Sequence, residues 1–163
     1  MSGYVIRPVK ETDIEAIIAL DALLTGASGP DRAGFWRGLM ALHTAPPAVE
    51  EGRDAAEPKP SLHLCQVAVP KGGAGVAGFI IGDVQSWQFG LPRHGRIVTL
   101  GVHPDHRRRG VATQLATSLL ETFARMGLPF VHCLAGPEDP LGDFFRSLGF
   151  RQPGFRILER PLP

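Results

Sequence analysis

The chain has 163 residues, 44% of them hydrophobic, with 17 Lys and Arg against 16 Asp and Glu for a formal net charge of +1. That length suits a single domain, residues 1–163, able to bury roughly two thirds of its unfolded surface. The near-zero charge argues against general affinity for nucleic acid or an anionic membrane, and no window approaches the ~20 apolar residues of a membrane span.

The opening "MSGYVIRPVKETD" lacks an apolar signal core, so the expected location is the cytoplasm. Within it "YVIRPVK" reads as a short strand. "KETDIEAIIALDALL" follows as a helix with Ile14, Ile17, Ile18 and Leu24 at helical spacing, capped by Thr12 with Glu15 three residues on. "DRAGFWRGLMALH" reads as a second helix bearing Phe35, Trp36, Leu39 and Met40. Residues 44–60, "TAPPAVEEGRDAAEPKP", are poor in apolar side chains and rich in proline, the composition of a mobile surface loop.

"SLHLCQVAVP" and "GVAGFIIGDVQSW" are apolar runs separated by glycine-rich "KGGAG", the pattern of two strands joined by a hairpin. A third strand, "GRIVTLGVHP", follows turn-rich "GLPRHG". Residues 111–126 form a helix with a stripe of Leu115, Leu119, Leu120 and Phe123, closed by Gly127. "PFVHCLAG" is a further strand, "LGDFFRSLGF" a short helix and "FRILERPL" a last strand. The order β-α-α-β-β-β-α-β-α-β implies an α/β fold with a mixed sheet flanked by helices and no internal repeat. Cys65 and Cys133 each sit in an apolar strand, as small buried thiols do, rather than in a disulfide framework. With the scattered histidines they match no zinc spacing, so no metal is expected.

Between the third strand and the long helix lies "VHPDHRRRGVA", a basic turn ending at a helix start. A helix N-terminus offers unpaired N–H groups and the positive end of its dipole, so an anion fits there. This stretch resembles the motif of the GNAT-type N-acetyltransferase superfamily, whose members move an acetyl group from acetyl-CoA to an amine. The motif (Arg or Gln, two residues, Gly, one residue, Gly or Ala) matches Arg107, Gly110 and Ala112. It follows a strand, opens a long helix, and is succeeded by a strand and a helix ending in "LGF"; the likeness runs from about Tyr4 to Leu162.

The resemblance implies a fold, mostly antiparallel in its sheet, that binds acetyl-CoA as cosubstrate and passes its acetyl group to a primary amine by direct attack in a ternary complex. The coenzyme pyrophosphate would meet the backbone of residues 107–112, with Gly110 permitting close approach, Val111 and slim Ala112 opening the helix, and Arg107, Arg108 and Arg109 steering the anion. The strand before it is expected to bulge and splay, so that main-chain groups around Leu100, Gly101 and Val102 hold the pantetheine arm and stabilise the developing oxyanion. Phe145 of the closing helix completes the cofactor surface.

A free alkylamine has a pKa near ~10, so something must take its proton. Where branches of the family carry a carboxylate or a phenol, this chain has Arg96, Cys133 and Phe145, and Glu138 replaces a frequent Asn. The remaining candidates are Cys133 as donor to the leaving thiolate and Asp83 as proton acceptor through water. His94 and His132 have suitable intrinsic pKa values, yet a lone histidine in a loop or strand is more often structural, and His103 beside Pro104 braces the turn. Trp36 and Trp87 are candidates for the acceptor groove, with Phe35 assigned to the core. Arg96, if it faces inward, favours an acceptor carrying a carboxylate or phosphate. The acceptor is a small molecule or peptide, and a homodimer is compatible with the family. Two other readings remain at this point: a CoA-binding sensor module with little turnover, and a nucleic-acid-binding domain using "HRRRG", against which stands the lack of interleaved basic and aromatic residues.

Overall fold

A computed structural model describes residues 3–26, 30–44, 63–86, 90–136, 139–152 and 160. They gather into two compact units, Met1–Cys133 and Leu134–Pro163. The first unit holds strands β1 (Tyr4–Pro8), β2 (His63–Pro70), β3 (Gly78–Gln85), β4 (His94–Val102) and β5 (Val131–Cys133), with helices α1 (Ile14–Thr25), α2 (Pro30–Thr44) and α3 (Val111–Arg125). The strands form one sheet in the order β1-β2-β3-β4-β5, antiparallel except for the parallel β4–β5 pair. The expected α/β architecture, a mixed and mostly antiparallel sheet with flanking helices, is therefore present. Most of the expected loop at 44–60, the last strand at 155–162, Trp87 and Glu138 lie outside the described residues.

Side-chain alternation along β3 sorts the two faces. Phe79 and Ile81 join Cys65 and Val67 of β2 in a core with Ile17 and Leu20 of α1 and Trp36, Leu39 and Met40 of α2. The opposite face carries Gly78, Gly82 and Gly95, where α3 lies so close that a Cβ on Gly82 would stand 2.7 Å from Phe123 and 2.9 Å from Leu119. Val111, Leu115, Leu119 and Phe123 recur every four residues, which places one buried stripe of α3 on that glycine-lined surface. Among the described residues no helix is long and apolar enough to cross a membrane.

Local chemistry differs from expectation at three places. The cap before α1 is not Thr12 with Glu15: a turn of 3-10 helix (Glu11–Asp13) intervenes, and the Asp13 carboxylate accepts from the Lys10 N–H at 2.8 Å while Arg7 holds both its oxygens. That guanidinium keeps the Asp13 carboxyl below its ordinary range. The aromatic pair at the start of α2 is inverted, since Phe35 is 52% exposed and Trp36 only 1%. Leu120 is half-buried rather than central to the α3 stripe.

In the second unit α4 (Pro140–Ser147) starts on Asp139, whose side chain accepts from the Leu141 N–H at 2.9 Å. Its "LGF" ending has a physical cause. Gly149 adopts φ 88°, and the N–H groups of Gly149 and Phe150 turn back to the carbonyls of Arg146 and Phe145, a Schellman cap that needs a residue tolerant of the left-handed region. Phe150 then packs on Phe145, with ring centroids 5.1 Å apart. Gly127 closes α3 by the same pattern, as expected.

Candidate active site

β4 is not a regular strand. Its register on β3 runs Ile81 with Thr99 and Gly82 with Ile97, leaving Val98 as an extra residue, a bulge. The bulge reverses which residues turn their backbone toward β5. Upstream, the Gly95 N–H reaches the Phe130 carbonyl on the β5 side; downstream, the His103 N–H reaches the Ala77 carbonyl on the β3 side. Alternation then directs the main-chain groups of Leu100 and Val102 to the β5 side. β5 has already stopped, at Cys133 opposite Ile97, so among the described residues no strand pairs with that edge. Gly101 sits between them with its Cα against Phe79 and Leu24, where a Cβ would be only 2.7 Å from either.

The chain leaves β4 through one turn of 3-10 helix at Pro104–His106. His103 accepts from the Asp105 N–H at 3.3 Å, and His106 meets the Tyr4 hydroxyl at 3.0 Å, so the turn is tied to β1 and His103 braces it. Arg107 is extended and donates from Nε to the Val102 carbonyl at 3.4 Å. Arg108 (φ 56°) and Gly110 (φ 75°) are both left-handed, and tight turns of backbone can point successive N–H groups at an anion. Gly110 is also the N-cap of α3 and supplies no side-chain cap, and no acidic residue stands in the first turn. The first N–H groups of α3 thus lack intrahelical partners and face residues 107–110, all exposed. Among the described residues no carboxylate pairs with Arg107, Arg108 or Arg109. The site fits a phosphate or pyrophosphate, with Val111 buried against the sheet and Ala112 behind it.

On the opposite face of the sheet a polar cluster occupies the β3, β4 and β5 strands. Arg96 binds Asp83 with two hydrogen bonds, 3.0 Å from Nε and 2.5 Å from the terminal nitrogen. The Asp83 side chain is 2% exposed and that of Arg96 35%. Both Asp83 oxygens are thereby engaged, and the two residues form one neutral unit rather than a free base and an uncompensated cation. His94 is fully buried; its Nδ1–H donates to the Pro92 carbonyl at 2.7 Å, and its ring lies 4.7 Å from that of His132. The register pairs Arg96 with His132 and Ile97 with Cys133. Burial raises the Cys133 thiol above its ordinary pKa, which keeps it protonated at neutral pH. Cys65, also free, is pushed up to about 12 by burial and is a core thiol.

One expected site residue stands elsewhere. Trp36 is in the core with its ring 4.9 Å from Phe79, so it presents no surface to an acceptor. Phe145 lies in the second unit, buried with Phe144 and Phe150. The pair of His94 and His132 is what single-residue reading underrates, although its sequence trace exists in the alternation His94, Arg96 on a strand that must pair. Among the described residues no group of His, Cys, Asp and Glu could hold a metal ion.

Comparison with known proteins bears on this geometry. A search of curated proteins found no match. Among solved structures, an aminoglycoside antibiotic 6'-N-acetyltransferase from Acinetobacter baumannii superposes with a TM-score of 0.72 at 16% identity, covering 99% of this chain and 99% of that one. The aminoglycoside acetyltransferase AAC(6')-Iy, in complex with the bisubstrate analogue CoA-S-monomethyl-acetylneamine, gives a TM-score of 0.72 at 18% identity, covering 99% and 100%. A ribosomal-protein-alanine N-acetyltransferase from Brucella melitensis gives 0.68 at 18% identity, covering 98% and 99%. These likenesses show the fold. The description "Acetyltransferase (GNAT) family" matches residues 35–150, more than half of the sequence, and the chain belongs to that family.

Proposed function

We propose that this chain is an acetyl-CoA-dependent N-acetyltransferase acting as one domain over residues 1–163, transferring acetyl to a primary amine by direct attack in a ternary complex. The observation that carries the reading is the bulge at Val98, because it frees the Leu100 and Val102 backbone beside an open anion-binding turn. The coenzyme pyrophosphate would lie on the N–H groups of residues 108–112, and its pantetheine arm along the free β4 edge. There the Leu100 N–H would meet the developing oxyanion, a contribution of about 3 kcal/mol in comparable sites. Cys133, kept protonated at the end of β5, is the candidate donor to the leaving thiolate. The solved aminoglycoside acetyltransferases favour a small polar amine as acceptor, such as an aminoglycoside.

Acetyl-CoA at 100 times its Kd adds about 2.7 kcal/mol of stability, a Tm rise of about 5–11 °C for a chain of this size. Gly110→Val forces a β-branched residue into φ 75° at the point of closest approach. Its expected outcome is a folded protein that acetyl-CoA no longer stabilises; a full thermal shift in this variant would overturn the binding assignment. Acetyl-CoA consumption across a panel of amines then tests transfer itself.

A further inference from the structure

The turn between β4 and α3 is fixed at both ends. At one end the His103 N–H reaches the Ala77 carbonyl at 2.9 Å. At the other, α3 presses on Gly78, where a Cβ would stand 3.1 Å from Val111 and 3.2 Å from Leu115. Residues 107–110 between them are exposed, and the Arg107 tie to β4 is long, 3.4 Å from Nε to the Val102 carbonyl. Arg108 nevertheless holds φ 56°, a left-handed conformation that a residue other than glycine keeps only where its surroundings dictate it.

A further anchor comes from across the sheet. Register sets Tyr4 of β1 opposite Pro70 and Ile6 opposite Ala68, which in turn pairs with Gly78. Alternation therefore puts the buried Tyr4 side chain on the α3 face, at the end of the sheet where α3 begins. There its hydroxyl and His106 Nδ1 share a hydrogen bond of 3.0 Å, and the two rings meet edge to face with centroids 5.6 Å apart. The His106 ring stands 5.7 Å from that of His103, again edge to face. A separation of 102 residues along the chain is thus closed onto the residue just before the open turn.

We propose that Tyr4 is a positioning residue for acetyl-CoA: its hydrogen bond to His106 holds residues 107–110 in the conformation that offers the N–H groups of residues 108–112 to the coenzyme pyrophosphate. The proposal rests on the transferase reading above. A turn held in its binding conformation before the ligand arrives loses less freedom on binding, so affinity rises without any new contact to the ligand. Tyr4 acts through His106 and takes no part in acetyl transfer. Its influence falls on the affinity for coenzyme, and neither on the amine nor on the rate once coenzyme is saturating.

Isothermal titration with acetyl-CoA on Tyr4→Phe, His106→Leu, their double variant and His106→Asn tests the role. Loss of one neutral hydrogen bond is expected to weaken binding about 5-fold in Tyr4→Phe and in His106→Leu, with the double variant no weaker, since both changes remove the same bond. His106→Asn, whose side-chain amide can stand where Nδ1 stood, should bind as the wild type does. At saturating acetyl-CoA, kcat and the amine KM of Tyr4→Phe should match the wild type. A lowered Tm with an unchanged Kd in Tyr4→Phe makes Tyr4 a packing residue and overturns the proposal; so do additive losses in the double variant, or His106→Asn as weak as His106→Leu. Should His106→Leu fail to fold, Tyr4→Phe against His106→Asn decides: weaker binding by the first alone is expected, and equal affinities sink the role. Wild-type protein that binds no acetyl-CoA overturns the transferase reading itself, and this role with it.

Discussion

Asp83 and Arg96 set the energetics of the sheet face away from α3. The Arg96 guanidinium takes up both oxygens of a carboxylate whose side chain is 2% exposed, so the buried charge is paired and hydrogen-bonded. Removing Arg96 alone strands that charge, which costs about 3–5 kcal/mol in buried pairs; the low end applies because Arg96 is 35% exposed. Urea denaturation of Arg96→Ala should therefore show a large loss of stability, and the double variant Asp83→Asn with Arg96→Gln should recover much of it. Equal stability of the single and double variants would mean the pair is not coupled. A loss of this kind falls on acidic and neutral acceptors alike, so the pairing removes the basis for expecting Arg96 to select acidic amines. None of this was legible one residue at a time. Asp83, His94, Arg96 and His132 are scattered over 50 positions of sequence, and pairing across three strands makes them neighbours.

At the level of elements, the helices announced themselves because an apolar period near 3.6 survives in the sequence, as Leu115, Leu119 and Phe123 show. The bulge did not, since it is a property of register between β3 and β4 and no residue type marks Val98. The glycines of the sheet carry a different message from those of the loops. Gly82 has no room for a methyl group between the sheet and α3, whereas Gly34 in α2 is exposed, with nothing within 4 Å of where its Cβ would stand. Gly82→Ala should destabilise by about 1–3 kcal/mol through overpacking. Gly34→Ala should stabilise by about 0.5–1 kcal/mol, because alanine restricts the unfolded chain and favours helix. Thermal melts of the two variants measure both, and a stable Gly82→Ala would show that α3 can lift from the sheet at little cost.

For the whole molecule the decisive quantity is charge, and it acts locally. Seventeen basic and sixteen acidic side chains leave a net charge of +1, so no long-range field gathers polyanions. Arg107, Arg108 and Arg109 nevertheless stand exposed beside the open N-terminus of α3. A compact anion such as the coenzyme pyrophosphate can use that cluster and the backbone N–H groups together. A nucleic-acid backbone, spreading one charge per about 1.7 Å of duplex axis, calls for a longer run of basic side chains than the three at residues 107–109. Duplex and single-stranded DNA should therefore bind weakly at physiological salt and fail to displace acetyl-CoA, whose own affinity should fall only gently as salt rises. Isothermal titration at two salt concentrations, with and without competing DNA, separates the cases. Tight DNA binding with a steep salt slope, coupled to release of acetyl-CoA, would reassign the turn to nucleic acid. Gentle salt dependence without competition is the signature of a local anion nest, in which fixed backbone dipoles rather than mobile side-chain charges hold the ligand.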